Sequence, residues 1–479
     1  MERTATSHAA VPQAGRPASP AAARLRRRLG SLGAVSISIG VMAPTLAMSI
    51  TGIQAARLLG RAAPLAYAVA AAGVALVAYG FVRLSAQVAS AGSVYAFVGH
   101  AIGPRAGFLC GWAMLGTYLV FPAVSISAIA VFGRALLAST GVAEHAAWLP
   151  LALLGWMAVA LIASRDVRTA ARSLLALELV SVSLILLLMA IVIGRLLAGD
   201  APAQQSVNAH WLQLPPGTTA STVALAATFG FLSFAGFESA GSFGEETTEP
   251  TRRIPRALVT AIAFGAIFYV ACVAVQTLGF GTDPAGVQAF AASGAPLGEL
   301  ARLYAGRGMA DALNLAAIVS AVGAGLGCAS VAGRMLYAFG RDALAPRALA
   351  GVAPATGTPI AGLGFVLGLD LAGLIAFAVA GTEPIDVFFY LATIGTLCLL
   401  CMYAMTSIAA AVDLARGTRR AEALIPVAGL GVALYVLYHN VRPVPPSPFD
   451  AFPYVVGAWL VIGALLALVR APGVARSPG

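Results

Sequence analysis

Three carboxylates stand where carboxylates are rarely tolerated. Glu178 in RSLLALELVSV (172–182), Glu238 in FLSFAGFESAGSFGEETTEP (231–250) and Asp370 in LGLDLAG (367–373) each lie inside a long apolar run. A carboxylate at the centre of a membrane helix costs about 2.5–3.5 kcal/mol on insertion scales, so such residues are functional candidates by default. Three kinds of chemistry are open to them. A carboxyl can bind an ammonium, can cap a helix end, or can exchange a proton, because desolvation disfavours the charged form and brings exchange toward neutral pH.

Glu178 is expected to be the proton-coupling group, with a structural hydrogen bond to a neighbouring helix as the alternative. Glu238 is expected at the substrate site, where it could meet an ammonium, cap a half-helix or titrate. Asp370 is expected to make a polar contact between packed helices.

The composition identifies the solvent around these groups. Of 479 residues 59% are hydrophobic and only 10% charged, far from the quarter or so usual in soluble domains. The chain is therefore an all-α polytopic membrane protein rather than a string of soluble domains. All 29 basic residues are arginine. The absence of lysine excludes a Walker A phosphate loop and a pyridoxal Schiff base. The net charge of +10 does not imply nucleic acid, because the arginines fall in short loops between apolar spans. The five cysteines lie in apolar runs and the five histidines are scattered, so they read as buried hydrophobes and isolated residues rather than metal ligands. No metal or cofactor is expected.

About twelve spans of suitable length follow one another: the first from about residue 31 to 59, then 64–83, 106–133, 147–164, 173–197, 221–243, 256–280, 311–338, 359–380, 386–412, 424–440 and 452–470. Residues 1–30 read as a disordered cytoplasmic tail with RLRRR (24–28) near its end. The apolar stretch that follows runs to about residue 59, too long for a signal peptide, so it is expected to be an uncleaved first span. With the N-terminus inside, 22 arginines fall on the cytoplasmic side and 7 outside. That is the bias the positive-inside rule requires, so both termini are expected in the cytoplasm.

Two of these spans are interrupted. SIGVMAPTLAMSITG (38–52) carries Gly40 and Pro44 in mid-helix, and the sixth span carries Gly236 and Gly241 around Glu238. A glycine costs about 1 kcal/mol of helix propensity, and proline removes a backbone donor. Unwound backbone in a bilayer is tolerated only where it faces protein or a water-filled cavity. Paired breaks in corresponding positions of two halves point to an inverted-repeat transporter with its binding site at the breaks. The expected substrate-binding residues are accordingly Gly40, Met42, Ala43, Pro44 and Thr45 in the first break and Phe234, Ala235, Gly236, Phe237 and Glu238 in the second.

The flanks of the second break, GFES followed by GEETTEPTRRIPRA (244–257), resemble the sixth helix and following loop of the amino acid–polyamine–organocation superfamily. SAGSVYAFVGHAIGPRAGFLCGW (90–112) is similar to its glycine-rich approach to the third helix. AGRMLYAFGRDALAP (332–346) and GTPIAG (357–362) resemble the end of its eighth helix and the next loop. The resemblance covers about residues 31–365. It implies a LeuT-like five-plus-five inverted repeat with discontinuous helices 1 and 6, carried by residues 31–197 and 221–413, with two extra helices over 424–470.

The resemblance further implies a permease of the cytoplasmic (inner) membrane, moving an amino acid or related amine by alternating access with a proton as coupling ion. Exchange, or transport of a polyamine or organic cation, remains open beside it. A membrane-embedded enzyme is disfavoured, since no HExxH, GxSxG or aspartate-pair motif occurs. Two departures from the family pattern matter. The first break reads GVMAPT where the family is often glycine-rich, and Glu178 stands near where proton-coupled relatives often carry lysine. Ser320 and Ser330 are candidate hydroxyls of an ion site. Phe231, Phe234 and Phe237 are expected to pack, one of them with a possible role as a lid. Glu245, Glu246 and Glu249, facing Arg252, Arg253 and Arg256, are expected to form a solvated, charge-balanced loop, the alternative being a cytoplasmic gate.

Overall fold

The computed structural model describes residues 29–88, 90–139, 141, 147–165, 167–202 and 204–470. Most of the expected tail, residues 1–28, lies outside them. Among the described residues no strand forms, and the backbone is helical almost throughout. Helix is what a bilayer imposes, because it satisfies every backbone donor and acceptor within the segment. Among the described residues the β-type pairing is confined to an isolated bridge between Leu29 and Thr247.

Eleven helices are long and apolar enough to cross a membrane among the described residues. The remaining segment expected to span, 147–164, forms a shorter apolar helix, Trp148–Ala163. The helices that build the site are labelled here in chain order: α1 (Ser31–Met42), α2 (Pro44–Ile50), α3 (Ala63–Ser85), α4 (Pro104–Ser139), α5 (Val167–Ala198), α6 (Ala220–Phe234), α7 (Pro250–Phe280), α8 (Arg307–Arg341), α9 (Ile360–Val379) and α10 (Pro384–Arg416). α4 packs along α8 and α10, α7 along α3, and α1 against α5, α7 and α8. Burial separates centre from periphery. The spanning stretch of α1–α2 is 83% buried and that of α4 89%, whereas each of the last two spans is 22% buried. The broken first span therefore runs through the protein interior, where irregular backbone can find protein partners.

The first break falls at Ala43, which adopts a left-handed conformation (φ 43°, ψ 64°) between α1 and α2. Pro44 is the cause. Its ring disfavours the helical region for the residue before it, and as the first residue of α2 it lacks an N–H that would be unsatisfied there anyway. Gly40, expected to share in the interruption, remains inside α1.

The second break begins where α6 ends. Ala235 is extended and Gly236 has φ 107°, after which a 3-10 helix carries Phe237–Phe243. The two breaks lie against one another. A Cβ on Gly236 would come within 2.7 Å of Val41 Cγ1 and 2.9 Å of the Met42 amide nitrogen. Ser38 donates its hydroxyl to the Phe237 carbonyl (2.7 Å), and Ser239 donates to the Ile37 carbonyl (3.4 Å). Each segment thus supplies hydrogen-bond donors for carbonyls of the other.

Gly236→Ala would force a side chain into a positive-φ position already filled by the Val41–Met42 backbone. The expected loss is about 1–3 kcal/mol, measured by thermal unfolding of the purified protein. An unchanged midpoint would show that the two breaks do not need this close approach.

Candidate functional site

Ala43, at the N-cap of α2, has no side-chain oxygen to serve the free amides of the first turn. Two other helices supply that function. The Leu46 amide donates to Ser320 Oγ of α8 (3.1 Å), and Thr45 Oγ1 donates to Glu178 Oε2 of α5 (3.2 Å). The Ser320 hydroxyl in turn donates to Glu178 Oε1. Glu178 and Ser320 are both buried. Together they do for α2 what an N-cap residue does, and they tie the break to α5 and α8. Of the two candidate serines only Ser320 joins this group; the Ser330 carbonyl accepts from Arg334 instead (3.1 Å).

Glu238 occupies the opposite break. Tyr118 of α4 donates to its Oε1 (2.7 Å), Tyr403 of α10 to its Oε2 (3.2 Å), and the Gly236 amide to the same Oε2 (3.3 Å). Of the roles left open by the sequence, the geometry gives it the cap on unwound backbone, with two tyrosines fixing its orientation. Phe237 lies against Phe81 and Tyr403, and Phe234 meets Tyr269 edge-on at 5.1 Å. Phe231 packs over Gly73. All three phenylalanines are completely buried, so they pack. Asp370 is buried beside the Ala123 amide, where α9 meets α4. This fits the expected contact between helices.

A small cavity of about 50 Å³ opens between the breaks. The first span contributes Met42, Ala43, Leu46 and Ala47, and the sixth contributes Leu232 and Ala235. Of the ten residues expected to bind substrate, Met42, Ala43 and Ala235 line this space. Pro44, Thr45, Phe234, Gly236, Phe237 and Glu238 do not line it but shape the breaks, and Gly40, inside α1, does neither. The opposite wall was not anticipated: Phe121, Val124 and Ser125 of α4, Ala324 and Cys328 of α8, and Phe388 of α10. These residues lie within helices, and the local signals near them were Pro122 inside α4 and the glycines Gly323, Gly325 and Gly327 around Ala324 and Cys328 in α8. Above the cavity, the Thr51 hydroxyl meets the Tyr67 hydroxyl (2.6 Å) and the Ser233 hydroxyl (2.9 Å), linking the first span, α3 and α6.

The acidic stretch after the second break corrects the expectation of a solvated loop. Glu246 forms a two-pronged ion pair with Arg334 of α8, at 2.5 and 2.9 Å, with both side chains 3% exposed. The Arg334 guanidinium also lies 3.9 Å over the Phe243 ring. Glu245 accepts from Arg341 (2.7 Å) and from the Ala91 amide (3.1 Å). Only Glu249 pairs within the loop's own sequence, with Arg253. The backbone of Leu29 joins the same segment, donating to the Glu246 carbonyl and accepting from the Thr248 amide, both at 2.9 Å. Proximity in sequence suggested Arg252, Arg253 and Arg256 as partners. Folding brings the end of α8 instead, and because the pair is buried each charge depends on the other for compensation.

The family model for amino acid permeases matches residues 33–433. The chain belongs to that family. Among curated amino acid permeases and related transporters, it is 26% identical over 345 residues to the low-affinity putrescine importer PlaP of Escherichia coli K12, covering 70% of this chain and 72% of that one. It is 24% identical to the methylthioribose transporter of Bacillus subtilis (86% and 88% covered) and 25% identical to the branched-chain amino acid permease BcaP of Lactococcus lactis (66% and 68%). As an amino acid permease family member the chain is a multi-pass membrane transporter of small molecules rather than an enzyme.

Removing one partner of the Glu246–Arg334 pair leaves a buried charge uncompensated. Glu246→Gln and Arg334→Gln are each expected to cost about 3–5 kcal/mol, and the double variant to lose less than their sum. Unfolding of the three purified variants measures this. Strict additivity would mean that the pair does not act as a unit.

Proposed function

We propose that this permease is a secondary active transporter that moves an amino acid across the cytoplasmic membrane by alternating access, driven by protons through Glu178. The observation that carries the reading is the position of Glu178, buried and hydrogen-bonded to Thr45 at the start of α2 and to Ser320 of α8. As a carboxylate it accepts from both hydroxyls; as an acid it holds a proton of its own that must be donated. Gain or loss of that proton changes how the broken first span is held to α5 and α8. This is the linkage that proton-coupled alternating access needs, since a ligand shifts a conformational equilibrium only by interacting differently with its two states.

The remaining parts of the proposal follow the same frame. Residues 31–197 and 221–413 form the two inverted repeats, with helices over 424–470 added outside them. The two breaks then fall in matching positions of the halves. Both termini are cytoplasmic, in keeping with the 22 arginines on that side. The ion pairs of Glu246 with Arg334 and Glu245 with Arg341 form the cytoplasmic gate, which must part for substrate to leave. Two of the named relatives, a putrescine importer and a branched-chain amino acid permease, carry nitrogenous solutes, in line with an amino acid as cargo.

The deciding experiment is uptake of radiolabelled amino acids into proteoliposomes, with and without an inward proton gradient, for wild type and Glu178→Gln. Gradient-stimulated uptake is expected in the wild type. The variant is expected to lose the stimulation while still exchanging substrate. Wild-type uptake that ignores the gradient would remove the coupling role and leave a facilitator or exchanger.

A further inference from the structure

The cavity between the breaks has a chemical character that its surroundings conceal. Charged groups are close by, but among the described residues none lines it. Glu238 is committed to Tyr118, Tyr403 and the Gly236 amide, and Glu178 to Thr45 and Ser320. The wall away from the breaks is made of Phe121, Val124, Ala324, Cys328 and Phe388. The two hydroxyls in the lining are already engaged. Ser125 Oγ donates to the Phe121 carbonyl (3.0 Å), and Thr51 Oγ1 contacts Tyr67 and Ser233.

We infer that the cargo is an amino acid with an uncharged, mainly apolar side chain, and that Ala324 and Cys328 of α8 set the size of side chain accepted. The inference rests on the reading of this cavity as the substrate site, and it separates the solutes named for the relatives. The second ammonium of a diamine, the guanidinium of arginine or the side-chain carboxylate of glutamate would meet this wall with no counter-charge. Every amino acid brings an α-ammonium and an α-carboxylate, which fall to the unwound backbone of the breaks; a further charge taken out of water without a partner is strongly disfavoured. The hydroxyls of a sugar would find few free hydrogen-bonding groups, and their loss is likewise costly. A branched aliphatic side chain has no such requirement and gains by leaving water. Ala324 lies within the helix, so adding methyl groups there takes up cavity space directly.

Ligand-dependent thermal stability of the detergent-purified, full-length protein tests this independently of proton coupling, because binding to the folded state raises the midpoint whether or not a gradient exists. Leucine, valine and isoleucine at saturation are expected to raise the midpoint by a few degrees, on the order of 2–5 °C. Putrescine, arginine, glutamate and methylthioribose are expected to leave it unchanged. In Ala324→Leu, provided its ligand-free midpoint stays near wild type, the leucine shift is expected to disappear while an alanine shift remains. Cys328→Ala supplies the converse variant, extending the response to bulkier side chains.

Stabilisation by putrescine, arginine, glutamate or methylthioribose in place of the aliphatic amino acids would overturn the inference and leave the transporter reading intact. The absence of a shift with every compound would also overturn it. A leucine shift that persists unaltered in both variants would move the site away from α8. If leucine stabilises but uptake ignores a proton gradient, the coupling proposal fails and this inference stands.

Discussion

The architecture depends on a single constraint: two stretches of unwound backbone, placed in a low-dielectric interior, must satisfy one another. Ser38 serves the Phe237 carbonyl and Ser239 serves the Ile37 carbonyl, while Gly236 lets the second break lie directly on Val41 and Met42. An unpaired backbone group in such surroundings costs several kcal/mol. The breaks are therefore tolerable only together. The deep burial of the first span and of α4 follows from this, since irregular backbone must be kept away from lipid.

The polar groups around the breaks extend the same logic. Glu178 and Ser320 supply the cap that Ala43 cannot, and Glu238 caps Gly236 under two tyrosine hydroxyls. Each carboxylate joins a broken helix to intact ones: Glu178 joins α5 and α8 to the first break, and Glu238 joins α4 and α10 to the second. Movement of either break must disturb these bonds. The site is thus mechanically linked to the scaffold at two points, with the cavity between them left apolar.

The ion-paired segment after the second break is a separate device. Arg334, near the end of α8, reaches Glu246 and the Phe243 ring, and the Leu29 backbone binds the same segment. The 3-10 helix after the second break is consequently fixed near both ends, by Glu238 on the cavity side and by Glu246 beyond its far end. A rigid short element held at two ends can carry a displacement from one to the other.

The sequence by itself determined the membrane environment, nearly all the spans, the two breaks and the three carboxylates buried inside the spans. These are legible because the physics is local. Apolar length sets a span, Pro44 and Gly236 act on their own backbone, and a charge in lipid is conspicuous wherever it occurs. Tertiary structure decided which group meets which. Nothing local announced that Glu246 would pair with Arg334, 88 residues away, rather than with the neighbouring arginines. Nor could the sequence show that Glu178 would bridge Thr45 and Ser320. The cavity wall of α4, α8 and α10 was hidden for a related reason. An apolar side chain facing a cavity and one facing a neighbouring helix carry the same signature, and only packing separates them.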